Sequence, residues 1–314
     1  MKLARYHGAG VVRIEDEPEP ICPPRGLLIQ TEACGLCSGE LMDWYMDRKV
    51  PHVLGHEVCG RVIESQDDRF SVGARVFPHH HAPCLNCDLC RRGHTVHCPQ
   101  WKRTKLVPGG MAERFQVSAE NLNDTLGVNH IAPGDAALIE PLACVEKSKR
   151  RARWAPEDRT AVIGLGVMGL MHALLCPGAI GFELNPDRRS HAESLGIAAE
   201  SDGQYDVVFV CPGSQAAIER ALELAAPGAR IVLFAPLPPK RPMPLDLDAL
   251  YFRDLEIITC YSCGPEDTRA AMQSIEQGLV RADQLVSHRI TLDELPDAYL
   301  RMKRGEILKP MVFF

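Results

Sequence analysis

The sequence predicts an α/β protein of two domains, a compact β barrel followed by a doubly wound parallel sheet. Three observations carry that prediction. At 314 residues the chain is too long for one ordinary core. Its first part reads as short apolar runs cut by Pro and Gly, as in Val11-Val12-Arg13-Ile14, Pro18, Pro20 and Pro23-Pro24, which is the rhythm of strands and turns. From Thr160 onward, apolar runs alternate with helix-like stretches, and the joins are marked by Pro212-Gly213 and Pro227-Gly228, the βα alternation of a parallel sheet.

Composition narrows the function. The formal charge is −6, whereas nucleic acid or an anionic membrane surface calls for a basic patch. The start, Met1-Lys2-Leu3-Ala4-Arg5-Tyr6-His7, lacks an apolar core of signal-peptide length, and no apolar run approaches a membrane span. A soluble, cytoplasmic protein is expected. Thirteen cysteines, an odd count, argue for reduced thiols and metal rather than a disulfide framework.

In the first domain, Leu27-Leu28-Ile29-Gln30, Val58 to Ile63, Ala74 to Phe77 and Glu113 to Val117 read as strands. Between them lie Cys37-Ser38-Gly39-Glu40 and Gly55-His56-Glu57. A thiolate, an imidazole and a carboxylate are good zinc donors, and three protein ligands with an open position make a catalytic rather than a structural site. Gly55 lets the chain turn so that His56 and Glu57 face one ion. Cys84-x2-Cys87-x2-Cys90-x7-Cys98 is the spacing of four thiolates that wrap a second zinc tetrahedrally, closing it to substrate. Two more pairs, Cys34/Cys37 and Cys260/Cys263, are read as coincidence. The run His79-His80-His81 cannot turn three consecutive side chains onto one ion, so it is read as a feature of the surface or of a ligand's surroundings. Trp44-Tyr45-Met46 is either a wall of the substrate pocket or a packing patch.

Glu140, between Ala137-Leu138-Ile139 and Pro141, is a further zinc donor, a partner of zinc-bound water, or a carboxylate favoured by a helix N-terminus. The basic stretch Lys147 to Asp158 reads as a solvated helix face and linker. The strand Thr160-Ala161-Val162-Ile163 then runs into Gly164-Leu165-Gly166-Val167-Met168-Gly169 and a helix. These glycines allow a tight turn whose backbone N–H groups meet a pyrophosphate at the helix N-terminus. Nineteen residues after Gly164, Glu183 ends the next strand, placed to accept from ribose hydroxyls and repel a 2′-phosphate, so NAD is favoured over NADP. Arg188 and Arg189 lie close enough to oppose that preference. The helix after the glycines is short, because Pro177-Gly178 stops it.

Together these residues resemble the medium-chain zinc-dependent alcohol dehydrogenase family, of the sorbitol, threonine and galactitol-phosphate dehydrogenase type. The resemblance is carried by Glu32-Ala33-Cys34-Gly35-Leu36-Cys37, Val53-Leu54-Gly55-His56-Glu57, the four-cysteine motif, Gly109-Gly110-Met111-Ala112-Glu113, Glu140-Pro141-Leu142-Ala143-Cys144, the glycine turn and Lys309-Pro310-Met311-Val312. It implies a GroES-like catalytic barrel over residues 1–150, a Rossmann domain over 151–275 and a return to the catalytic domain over 276–314, with the active site in the cleft between domains. It also implies two zinc ions per chain, NAD, a small-molecule alcohol or ketone substrate, and a homodimer or homotetramer. It assigns Cys37, His56, Glu57 and Glu140 to catalytic zinc, Glu57 and Glu140 alternating or acting through water. The chain departs from the family's proton relay, having Gly39 and Met42 where a hydroxyl and a His are usual, which leaves Ser38, Glu40 or Glu57 to move the proton. The expected function is hydride transfer between a secondary alcohol, polyol or amino alcohol, and NAD. The rivals are a family member that binds zinc without catalysis and a zinc-ribbon binding protein.

Overall fold

The computed structural model describes residues 1–199 and 203–314. They form two compact units, one of residues 1–143 and 263–314, the other of residues 144–262. The boundaries expected at 150 and 275 thus fall earlier. The helix Ile139–Arg151 runs from one unit into the other, and the helix Pro265–Glu276 belongs with the β-rich unit. Of the stretch read as a solvated helix face and linker, residues 152–158 are turns and coil and residues 147–151 are the end of the helix Ile139–Arg151. Lys147 and Ser148 are buried in it, and Lys147 donates to the Tyr261 carbonyl at 2.7 Å.

The first unit is built on the strand Leu27–Gly35, which pairs antiparallel with Glu57–Ser65, Arg114–Val117 and Pro310–Phe313. Neighbours on several sides explain its nearly continuous apolar sequence. The sheet continues through Arg75–Pro78 to Thr125–Gly127, and the last strand returns beside His288–Ile290. A three-stranded sheet of Val12–Asp16, Lys2–Tyr6 and His52–Val53 lies against it, joined by the Leu3–Ala112 bridge. Buried Tyr6, Leu27, Ile29, Val58, Phe115 and Tyr299 share one apolar core.

Register decides where the chemistry sits. Gly35 is paired with Glu57 on one side and with Met311 on the other. Cys37 therefore leaves its strand beside the point where His56 and Glu57 enter theirs, and Lys309 arrives from the third strand. A Cβ on Gly35 would collide with the Glu57 carboxylate and sit 3.0 Å from Lys309 Cε, so only glycine leaves room at this crossing.

The second unit is a six-stranded, all-parallel sheet in the order Ala198–Ala199, Ile180–Phe182, Thr160–Ile163, Tyr205–Val210, Ala225–Leu233, Glu256–Thr259. In chain order this is 3-2-1-4-5-6, the doubly wound arrangement whose switch point lies beside the first strand. The strands are apolar because helices cover them; Ala161, Val162, Val207, Val208 and Phe209 are fully buried. The helix after the glycines, Val167–Leu175, is as short as the sequence predicts. Among the described residues no helix is long and apolar enough to cross a membrane.

His172 fastens that short helix. Its Nδ1 is 2.7 Å from the Met168 carbonyl and its Nε2 is 2.6 Å from Ser148 Oγ, so the ring donates to the first and accepts from the second. Burial lowers its pKa to about 4. In the unfolded chain the value is near 6.5, so the native state resists protonation and stability is lost as pH falls from about 6.5 towards 4, by up to ~3 kcal/mol. Thermal unfolding followed by circular dichroism should show this loss, and His172→Gln should flatten the dependence in that window while lowering stability at pH 8.

Candidate metal centres and dinucleotide site

Cys37 caps the single helical turn Ser38–Leu41, its Sγ accepting from the Gly39 N–H at 3.3 Å while Glu40 accepts from the Cys37 N–H at 3.4 Å. Gly55, at φ +93°, makes the left-handed turn expected of it and donates to Glu40 Oε1 at 2.8 Å. The result is one donor group. The Cys37 thiol, the His56 imidazole and the Glu57 carboxylate offer atoms that all lie within 4.8 Å of one another.

Each charge in this group is balanced by a neighbour. Glu40, 3% exposed, lies 3.3 Å from His56 Nδ1, the carboxylate-to-imidazole contact that orients a metal-binding histidine. Burial disfavours the His56 imidazolium, but Cys37 and Glu40 outweigh it and hold the pKa well above its usual value. Burial would also raise Glu40, yet His56 and the Gly55 N–H bring it below the usual carboxylate range. The Cys37 thiol is pushed up, chiefly by burial. Lys309, fully buried, forms an ion pair with Glu57 and donates to the Leu36 carbonyl at 3.0 Å. Burial alone would lower the Lys309 pKa, but Glu57 and Cys37 raise it. A thiol, an imidazole and a carboxylate packed this tightly fit a zinc ion, which would displace the proton they share.

Glu140 stands apart from the expected arrangement. Its carboxylate, 5% exposed, groups with His79 and Cys263 within 4.8 Å and not with the tight Cys37, His56, Glu57 set. It starts a helix whose first turn is held against Cys263, with Sγ 3.9 Å from the Glu140 carbonyl. It still feels the charges of His56, Glu57 and Lys309, and burial raises its pKa. His79 is buried rather than on the surface. Its Nδ1 is 2.7 Å from Asp124 Oδ2, Asp124 accepts from Thr268 Oγ1 at 2.6 Å, and Cys263 Sγ is 3.6 Å from Nε2. The Cys260/Cys263 pair therefore separates, one member joining this network. Sequence reasoning missed His79, Asp124, Cys263 and Lys309 as parts of a site. A lysine just ahead of the apolar strand Pro310–Phe313 was the signal available for the last of these, since a buried ammonium requires a partner.

Of the remaining candidates, Ser38 is exposed. Met46 is buried in the main core, so the Trp44-Tyr45-Met46 stretch is in that part a packing patch.

The four-cysteine lobe is assembled as its spacing predicts. Cys84, Cys87, Cys90 and Cys98 present sulfurs within 4.8 Å of one another, with Cys87 to Cys90 and Cys84 to Cys98 at 3.5 Å. A zinc tetrahedron with bonds of about 2.3 Å has sulfur edges of about 3.8 Å, so little movement separates this arrangement from a closed site. Val96, Cys98 and Trp101 form its small core. Although burial acts to raise Cys98, backbone N–H groups of Cys84, Trp101 and Gln100 bring it down to about 6, which favours the thiolate that binds metal.

In the second unit, Gly164 has φ +82°, and a Cβ on Gly169 would overlap the Gly164 carbonyl. Both glycines are demanded by the turn. Glu183 accepts from the Leu165 N–H at 2.8 Å and the Asn185 N–H at 2.9 Å, which fixes its carboxylate at the end of the second strand. A Cβ on Gly166 would lie 3.9 Å from the Arg188 guanidinium, so a cation stands over the turn beside Val167 and Met168, the first helical residues. A turn open to backbone donors, a carboxylate and a guanidinium fit a dinucleotide. The short helix leaves this geometry intact.

Comparison with known proteins agrees with these sites. Residues 23–125 match the family described as Alcohol dehydrogenase GroES-like domain, and residues 162–277 match Zinc-binding dehydrogenase. The chain is 25% identical to the sorbitol dehydrogenase of Bacillus subtilis, over 100% of this chain and 97% of that protein. It is 28% identical to the D-altritol 5-dehydrogenase of Agrobacterium fabrum, over 94% of each. Among solved structures, a zinc-binding dehydrogenase from Sinorhizobium meliloti bound to NADP superposes with a TM-score of 0.86 at 26% identity, over 100% of this chain and 99% of that one.

Metal analysis of zinc-replete protein should give two equivalents per chain. Cys37→Ser should remove one and leave the other, and Cys98→Ser the reverse; a single equivalent confined to the cysteine lobe would overturn the three-donor site. Lys309→Met strands Glu57 as a buried unpaired charge and should cost about 3–5 kcal/mol in urea unfolding. The double variant Lys309→Met/Glu57→Gln should recover most of that loss.

Proposed function

The chain belongs to the medium-chain zinc-dependent alcohol dehydrogenase family, two family matches together covering more than half of it, and from that premise we propose that it oxidises polyols or amino alcohols with NAD. The observation that carries this reading is the three-donor group of Cys37, His56 and Glu57, present in the same chain as an intact glycine turn with its carboxylate. Zinc held there would act as a Lewis acid, bringing a bound water to a pKa of ~7 and acidifying a bound alcohol in the same way.

The residues of this chain do the rest. Glu40 orients the His56 ring. Lys309 neutralises Glu57, so that the carboxylate and the Cys37 thiolate do not repel each other unopposed. Both oxygens of Glu40 are already occupied, and Glu57 is committed to Lys309. Of the three relay candidates this favours Ser38, exposed and next to Cys37, as the group that passes the alcohol proton to solvent. Glu140 supports the same site from the side of His79, where the charges of His56 and Glu57 act on it.

Glu183 favours NAD by accepting from the ribose hydroxyls, and Arg188 can meet a phosphate of the same cofactor. Polyols are favoured because both curated relatives above are named for them. A cytoplasmic homodimer or homotetramer is part of the same proposal. None of the thirteen cysteines is in a disulfide, and the exposed Leu247, Tyr251 and Phe252 precede the edge strand Glu256–Thr259, an apolar face suited to a second copy.

A panel of polyols and simple secondary alcohols, assayed by NADH absorbance, should show turnover that a chelator abolishes and zinc restores. Ser38→Ala should lower kcat by ~100-fold and shift its pH profile. Absence of turnover together with absence of nicotinamide binding would remove the enzymatic reading.

A further inference from the structure

His79, Glu140 and Cys263 repeat the donor types of the Cys37 group in a second place: one imidazole, one carboxylate and one thiol, with ligand atoms all within 4.8 Å of one another. Burial tells the two groups apart. Cys37 and His56 are half-buried, as a centre that admits substrate must be, whereas His79, Glu140 and Cys263 are all buried. An ion among them is closed to substrate, which is the structural kind of site.

Each donor is fixed by its own element. His79 follows the strand Arg75–Pro78; its N–H donates to the Asp124 carbonyl at 3.0 Å and its carbonyl accepts from Asn121 Nδ2 at 2.9 Å. Glu140 stands in the first turn of the helix Ile139–Arg151. Cys263 precedes Gly264, the cap of the helix Pro265–Glu276, and the Gly264 N–H donates to Asp267 at 2.9 Å. Behind the imidazole, Nδ1 lies 2.7 Å from Asp124 Oδ2, and Thr268 Oγ1 donates to Oδ1 of the same carboxylate at 2.6 Å. A carboxylate on one ring nitrogen fixes the tautomer and turns the other nitrogen into a donor to metal, the outer contact that metal-binding histidines carry. That other nitrogen, Nε2, is the atom that meets Cys263 Sγ, at 3.6 Å. Zinc bonds of about 2.3 Å to sulfur and about 2.0–2.1 Å to nitrogen, at a tetrahedral angle, put the two ligand atoms about 3.6 Å apart. The pair already has the separation an ion requires. A thiolate and a carboxylate also balance the charge of a divalent ion, which offsets the cost of burying it.

We propose that His79, Glu140 and Cys263 hold a third zinc ion, a structural one. Cys263 is the first residue of the segment that returns to the first unit, so the ion ties that return to the end of one strand and the start of one helix. The two equivalents expected above belong to the Cys37 group and the cysteine lobe. The third is taken up after them, in excess zinc, because the Cys263 thiol must give up its proton and its contact with His79. The competing account is a thiol that donates to Nε2 with no metal bound.

Wild-type protein incubated with excess zinc and then gel-filtered should carry three equivalents. Cys263→Ala should lose one of them, and Cys37→Ser/Cys263→Ala should keep only the ion of the cysteine lobe. Asp124→Asn leaves all three donors in place and disturbs only the outer contact; chelator titration should show its third equivalent held about 10–100-fold more weakly. Anomalous diffraction at the zinc edge from loaded wild-type crystals needs no variant and should place an ion about 2.3 Å from Cys263 Sγ. A count of two with no ion at Cys263 overturns the proposal in favour of the hydrogen bond, and so does an ion that draws Glu140 to Cys37 and His56 instead. None of these measurements needs turnover or a nicotinamide, so their outcome is independent of the proposed function.

Discussion

The first unit is organised by the need to bury several negative groups within reach of one another. Glu40, Glu57, Glu140 and the Cys37 thiol all lie at or near the protein interior, where unpaired charge is strongly unfavourable. The fold meets this with two cationic partners, and the donor set they leave would take a zinc ion as well. Lys309 comes from the C-terminal strand, His56 from the turn made by Gly55, and a zinc ion fits the remaining donor set. This requirement explains why the last residues of the chain return to the first unit: Lys309 must arrive beside Gly35, and only the strand pairing of Met311 with Gly35 delivers it.

The same electrostatic logic separates the carboxylates by role. Glu40 has both oxygens occupied by N–H donors and an imidazole contact, which makes it a fixed orienting group. Glu57 is tied to an ammonium yet remains in the donor set. Glu140 faces His79 and Cys263 at one edge, and its burial raises its pKa where that of Glu40 falls. Three glutamates of identical chemistry are thereby given different work by what surrounds them. The cysteines are sorted in the same way. Four close the structural lobe, Cys37 joins the donor set, and Cys263 rests against His79 and the Glu140 carbonyl.

In the second unit the governing constraint is steric. Gly164, at φ +82°, and Gly169, packed on the Gly164 carbonyl, let the helix start close to the first strand, and Glu183 then reaches back to the Leu165 N–H. This turn survives although the following helix ends at Leu175, because the contacts that define it lie within its first turn and at the ends of two strands. His172 supplies a substitute for the missing helix length by fastening Met168 and Ser148 together. Shortening the element therefore leaves the dinucleotide-binding geometry in place.

The sequence by itself determined whatever depends on neighbours along the chain. The four-cysteine spacing, the glycine turn with Glu183 at a fixed distance, the Gly55-His56-Glu57 turn and the strand-helix alternation are all local, and local geometry follows from residue type. Only the tertiary structure decided matters of register and burial. The pairing of Gly35 with Glu57 and Met311 brought Lys309 to the site. The packing of Asp124 and Thr268 drew His79 inward, and the placement of Cys263 drew Glu140 toward it. The contacts of Lys309 with Glu57, of His79 with Asp124 and of Cys263 with Glu140 each join residues more than forty positions apart, and no periodicity records such contacts, because a buried polar side chain and an exposed one are the same letter until the fold supplies its partner.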